Sequence, residues 1–139
     1  MKKKLDWIKE WINKANNDLK VAERFLNDEN MADVVCFHAQ QASEKCLKTY
    51  LNWLEMLEIE YPKTHLLEKL IELASLTDKD ISILKEDAAK LSPFAVETRY
   101  PEFELPLSED ALEALEISYK IRNYVLSKLP RTKKEKNDV

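Results

Sequence analysis

Glycine is absent from all 139 residues of this chain. Tight turns at positive φ and backbone cradles for phosphate ordinarily need it. Its absence excludes a Walker loop and a Rossmann fingerprint, whose glycines have no substitute here. An all-β fold, with its many turns, is disfavoured for the same reason. No apolar run approaches the length that crosses a membrane. Excess positive charge is missing too: the net charge is −4, whereas general nucleic-acid binders are usually basic. That balance argues against bulk RNA or DNA binding and leaves room for a local basic patch. Cysteine is confined to Cys36 and Cys46. Ten residues apart on one predicted helix, they are separated by roughly 15 Å, beyond the ~7 Å between Cα atoms that a disulfide tolerates. Buried thiols are expected. The amino end, MKKKLDWIKEW, has the charge of a signal peptide but neither its apolar core nor its cleavage site. The expectation is a soluble, cytoplasmic protein.

What is abundant is Leu, Lys, Glu and Ala, the composition of helices. The chain length suits a single core, with one helical-bundle domain over 1–130 and a charged tail over 131–139, RTKKEKNDV, that has nothing to bury. The first helix is predicted over about Leu5 to Leu26. Leu5, Ile8, Ile12, Ala15, Leu19, Ala22 and Leu26 alternate steps of three and four, the seam of a helix packed nearly parallel to its neighbours. Trp7, Trp11 and Phe25 flank that seam and offer a second contact. Asn27 to Asn30 is a short connection, which favours antiparallel neighbours.

The stretch Met31 to Leu57 has no proline and reads as a continuous helix roughly 40 Å long. Val35, Ala39, Ala42, Cys46, Tyr50, Trp53 and Leu57 gather on one side, and Gln41, Glu44, Lys45 and Lys48 on the other. Pro62 ends it, and Thr64 is the expected N-cap of a helix beginning at His65. Thr77 with Asp80 resembles a capping pair for a fourth helix carrying Ile81, Leu84, Ala88 and Leu91. Ser92 to Leu107, with Pro93, Pro101 and Pro106, is predicted to be a long irregular segment, a type of segment that often carries function. The last helix starts at Ser108. Ala111, Leu112, Leu115, Tyr119, Arg122, Val125 and Leu129 recur on it at helical spacing, and Pro130 ends it. The sum is an all-α, up-and-down bundle of four to five helices.

The residues Phe37, Ala39-Gln40-Gln41-Ala42, Glu44-Lys45 and Lys48 resemble the signature helix of the HEPN family, named for higher eukaryotes and prokaryotes nucleotide-binding. Lys63-Thr64-His65-Leu66 resembles that family's start of its third helix. Arg99-Tyr100-Pro101 resembles its segment before the last helix. The features fall in order between about Leu5 and Leu129. The resemblance implies a HEPN-like bundle, frequent homodimers, and partnership with a minimal nucleotidyltransferase in two-component or toxin–antitoxin-like systems. Some members are RNA endonucleases with an arginine, four to six residues, and a histidine on the last helix. Here the histidines are His38 and His65, and neither has an arginine five to seven positions before it.

Gln41, Glu44, Lys45 and Lys48 are therefore candidate ligand contacts, the lysines for phosphate and Gln41 for a base edge. The alternatives are a solvated face with Glu44 and Lys48 as an i,i+4 pair, or a contact across a dimer axis. His65, near Lys63 at a predicted helix start, suits an anion or a hydrogen bond to the long loop. Arg99 and Tyr100 suit phosphate and base, or they pin that loop. His38 is expected to be a satisfied, buried histidine. No metal site is expected: Cys36 and His38 diverge by about 200° on a helix, and zinc needs four converging ligands. The expectation is a HEPN-type nucleotide-binding or accessory module, homodimeric, acting with a small nucleotidyltransferase. It would have no cofactor, a nucleotide as ligand, no membrane association, and RNA less favoured. The alternative is a metal-independent ribonuclease using Arg122 and Asn123.

Overall fold

Helix α2 (Ala32–Trp53) has neighbours on nearly every side. The computed structural model describes residues 2–55, 64–96 and 104–130. In it, α2 packs most extensively against α1 (Lys2–Phe25) and α5 (Ser108–Lys128). It also meets α3 (Leu67–Ala74) and a 3₁₀ turn over Ser92–Ala95. The short α4 (Lys85–Leu91) closes against α3 and α5. Five α-helices and no strand occur among the described residues, the all-α bundle the composition predicts.

α1 runs antiparallel to α2, joined to it by the turn Glu29–Met31. The ion pairs Lys4–Glu55 and Asp18–Lys45 fix their register. On α1, Ile8, Ala15, Leu19 and Ala22 are buried, as the seam predicts, while Leu5 at its start is exposed. Trp7 and Trp11 lie against each other with ring centroids 5.5 Å apart, and lysines cap neighbouring rings, Lys14 over Trp11 and Lys4 over Trp53.

The buried face of α5 differs from the expected stripe. Ala111, Ala114, Leu115, Ile117, Ser118, Ile121 and Val125 are buried, whereas Leu112 is exposed and Tyr119 and Arg122 sit on the flank. The reason is close approach to α2. The Ser43 hydroxyl, the Ser118 hydroxyl and the Ala39 carbonyl are mutually 2.9 Å apart. Small residues let the two backbones come together, and the hydroxyls satisfy each other and the carbonyl.

Helix starts also shift from expectation. α3 begins at Leu67, not His65. Thr64 Oγ1 accepts from the Leu66 N–H at 3.0 Å, and Ser92 caps from across the fold, accepting from the Leu67 N–H at 2.9 Å and donating to Glu68 at 2.7 Å. The predicted fourth helix is divided into a 3₁₀ turn, Lys79–Leu84, and α4. Asp78, rather than Thr77, caps that turn, accepting from the Asp80 N–H. Part of the predicted irregular segment is the Ser92–Ala95 turn. Asp110 accepts from the Leu107 N–H at 2.8 Å where α5 starts. Leu57, Pro62 and the tail 131–139 lie outside the described residues.

Asp78 has a second role. Its Oδ2 accepts from the Tyr50 hydroxyl of α2 and the Tyr124 hydroxyl of α5, each at 2.7 Å. Burial works to raise the Asp78 pKa, but the two hydroxyl donors, with the charge of Lys128 and the Asp80 N–H, outweigh it and hold the carboxyl below its ordinary range. Removing the acceptor leaves Tyr50, only 3% exposed, without its partner. Asp78→Ala is expected to cost about 2 kcal/mol, from stranding a buried hydroxyl and losing bonds to a charged acceptor. Urea unfolding measures it, and a loss below about 0.5 kcal/mol, the level of an ordinary surface change, would show that Asp78 does not tie the helices.

Candidate functional site

His38, Gln41, Lys45 and Lys48 recur at steps of three and four on α2 and so share one flank of that helix. α1 brings Asp18 alongside. Its Oδ1 meets His38 Nδ1 at 2.9 Å and its Oδ2 accepts from Lys45 at 2.5 Å. The segment before α3 brings His65 to Glu44, with Nδ1 to Oε1 at 2.9 Å. Glu44 Oε2 accepts from Lys48 at 2.9 Å. The two arrangements match: a carboxylate with an imidazole on one oxygen and an ammonium on the other. Both carboxylate side chains are only 12% exposed, while His38 is 26% and His65 61% exposed.

An ionised carboxylate can only accept a hydrogen bond, so Nδ1 of each imidazole carries the proton. Nε2 of each ring then points away from its carboxylate, without a hydrogen-bond partner among the described residues. No buried side-chain nitrogen lacks a partner among the described residues, so the His38 Nε2 reaches solvent. Phe37 packs edge-on against His38, with centroids 5.2 Å apart.

The polar flank is thus not the open, solvated face that helical spacing suggested. Glu44 is buried, and the fully buried Gln40 donates to it at 3.1 Å and to the His65 carbonyl at 3.3 Å. Gln41 donates to Gln40 at 2.7 Å. Lys45 and Lys48 are each neutralised by a carboxylate. The cause is the central position of α2: covered by α1, α5 and α3, its polar groups must find partners inside the chain. The i,i+4 pair of Glu44 and Lys48 does form. His38 is half-buried and satisfied at Nδ1.

Gln41, Glu44, Lys45, Lys48 and His65 are therefore brought together, joined by His38. Arg122 and Asn123 are not: they sit on α5, where Arg122 donates to Asn16 at 2.7 Å and to Asn123 at 3.2 Å. Lys63, Arg99 and Tyr100 lie outside the described residues. Asp18 was missed by the sequence reading, although it stands alone as an acid on the α2-facing side of α1, one turn from the seam residues Ala15 and Ala22.

Cys36 and Cys46 are free and buried. Burial pushes both thiols up to about 12, which suppresses the reactive thiolate. Among the described residues no three His, Cys, Asp or Glu side chains converge as a metal site, and no helix is long and apolar enough to cross a membrane.

Glu44 titrates below its ordinary value of 4.5: burial works to raise it, but hydrogen bonds from His65, Lys48 and Gln40 together outweigh that. A carboxyl lowered on folding adds stability that is fully present above the unfolded pKa and lost as pH falls through the folded one. The chain should lose stability as pH drops below the ordinary glutamate value of 4.5, more steeply than Glu44→Gln does. Urea midpoints against pH measure this, and parallel profiles would contradict it.

The sequence model of the HEPN domain matches residues 8–129. TT1696 from Thermus thermophilus is similar in structure, with a TM-score of 0.71 and 29% identity, over 88% of this chain and 98% of that one. ST0689, an archaeal HEPN homologue, aligns with a TM-score of 0.66 and 23% identity, over 87% of this chain and 96% of that one. No curated protein matches. With the family's sequence pattern spanning both flanks of the bundle and the five-helix fold shared, this chain belongs to the HEPN domain family.

Proposed function

We propose that this protein is a HEPN-type accessory module that binds a nucleotide through the α2 flank and acts, as a homodimer, with a minimal nucleotidyltransferase in a toxin–antitoxin-like system. One observation carries the reading: both histidines of the chain are pinned through Nδ1 to carboxylates that also hold Lys45 and Lys48, and neither Nε2 has a hydrogen-bond partner among the described residues. A protonated imidazole donates from Nε2 to a phosphate oxygen, and Gln41 keeps its carbonyl for a base edge. The carboxylates balance Lys45 and Lys48. Nucleotide-dependent thermal stabilisation of the wild-type chain is expected. His65→Ala should reduce it and Lys45→Ala should reduce it further. Stabilisation equal in wild type and both variants would place the nucleotide elsewhere.

A second reading is metal-independent RNA cleavage. The same geometry favours it, because an imidazole oriented by a buried carboxylate is what general acid–base chemistry needs. Against it stands the lack of the family's arginine–histidine spacing in this sequence. Labelled RNA incubated with pure protein in a chelator separates the two readings. Intact RNA supports the binding module. Cleavage lost in His38→Ala or His65→Ala supports the enzyme with a histidine pair. Cleavage lost only in Arg122→Ala supports the arginine-based alternative.

A further inference from the structure

On the far side of α1 from Asp18 lies an open groove between α1 and α5 of about 620 Å³. Asn13, Asn16, Asn17 and Lys20 of α1 face Tyr119 and Arg122 of α5 across it. Residues two apart on a helix diverge by about 200°, so Asn16 and Lys20 point away from Asp18 and the histidine flank. This groove is independent of the α2 flank.

Its central feature is a guanidinium without an ion pair among the described residues. Arg122 is half-buried, yet it makes no ion pair with any carboxylate among the described residues. Two neutral amides hold it instead, Asn16 Oδ1 on Nε at 2.7 Å and Asn123 Oδ1 on Nη1 at 3.2 Å. A partly desolvated cation ordinarily recruits a counter-charge. Here the fork is fixed and its remaining N–H groups are left for an incoming oxyanion. Lys20 lines the same groove and likewise has no ion-pair partner among the described residues. The acid in the lining, Glu23, accepts from the Tyr119 hydroxyl and keeps its charge, so the lining carries two cations against one carboxylate. Asn13 and Asn17 are exposed, with side-chain amides that bond to no described residue, so each offers both a donor and an acceptor.

We propose that the α1–α5 groove binds a small phosphomonoester. Arg122 and Lys20 take its phosphate, and Asn13 and Asn17 take the hydroxyls of its body. The size suits one sugar-phosphate-sized molecule, and the overall charge of −4 disfavours a long polyanion.

The test is an NMR titration of the full chain at constant ionic strength, following the Arg122 Nε–H and the asparagine side-chain amides. The probes are inorganic phosphate, ribose 5-phosphate and a single-stranded RNA oligomer. Saturable shifts at Arg122 and Asn13 or Asn17 are expected, tighter for ribose 5-phosphate than for inorganic phosphate. Arg122→Gln should weaken that binding about tenfold or more, the scale of one charge-assisted hydrogen bond. Lys20→Gln, an exposed change that spares the fold, should weaken it several-fold. Non-saturable shifts, equal binding of ribose 5-phosphate by Lys20→Gln and wild type, or tighter binding of the RNA oligomer than of ribose 5-phosphate would each overturn the proposal.

Discussion

A helix surrounded on nearly all sides cannot leave polar groups unpaired, and this constraint on α2 shapes the rest of the molecule. Gln40, Ser43, Glu44 and Thr49 are all buried on it. Each is satisfied: Ser43 by Ser118 and Ala39, Thr49 by the Lys45 carbonyl, and Gln40 and Glu44 by each other and by the residue at the entrance to α3. Partial satisfaction would be costly, because a buried donor or acceptor without a partner loses its hydration and gains nothing. The partners therefore dictate where neighbouring elements sit. Asp18 fixes the register of α1, His65 the entry to α3, and Ser118 the depth at which α5 docks.

The same constraint gives α1 two different sides. Toward α2 it supplies a carboxylate that binds both an imidazole and an ammonium, which leaves little net charge there. Toward the outer flank of α5 it supplies amides, a lysine and Glu23, whose carboxylate accepts from Tyr119, so Arg122 forms no ion pair among the described residues and the groove holds two cations against one carboxylate. Charges near α2 orient imidazoles, whereas the charge in the groove stays available to an anion. The structure thus has two chemically distinct polar surfaces separated by the thickness of one helix.

Much of the bundle is legible from the sequence because apolar residues at helical spacing mark α1 and α2 directly. Ile8, Ala15, Leu19, Ala22, Val35 and Ala39 are buried where periodicity puts them. The face of α5 is less legible. Its closest contact with α2 is made by Ser118 and Ala114, which carry little hydrophobic signal, while Tyr119 and Leu112 carry much and lie outside. Helix caps misled for a similar reason: Ser92 caps α3 from 25 residues away, which no local pattern reveals. At the candidate site, the α2 residues were readable as a set from spacing. Their partners were not, because Asp18 and His65 arrive from other elements, and spacing along one helix cannot say whether its polar side meets water or another carboxylate.

Amide hydrogen exchange along α2 tests most directly whether its polar residues belong to the interior. If they do, the amides from Ala39 to Leu47 exchange only through global unfolding, and their protection tracks the free energy from urea melts as denaturant is added. Exchange of that segment through local opening, well below the global free energy and insensitive to denaturant, would show that the helix presents an open polar face and would contradict the account.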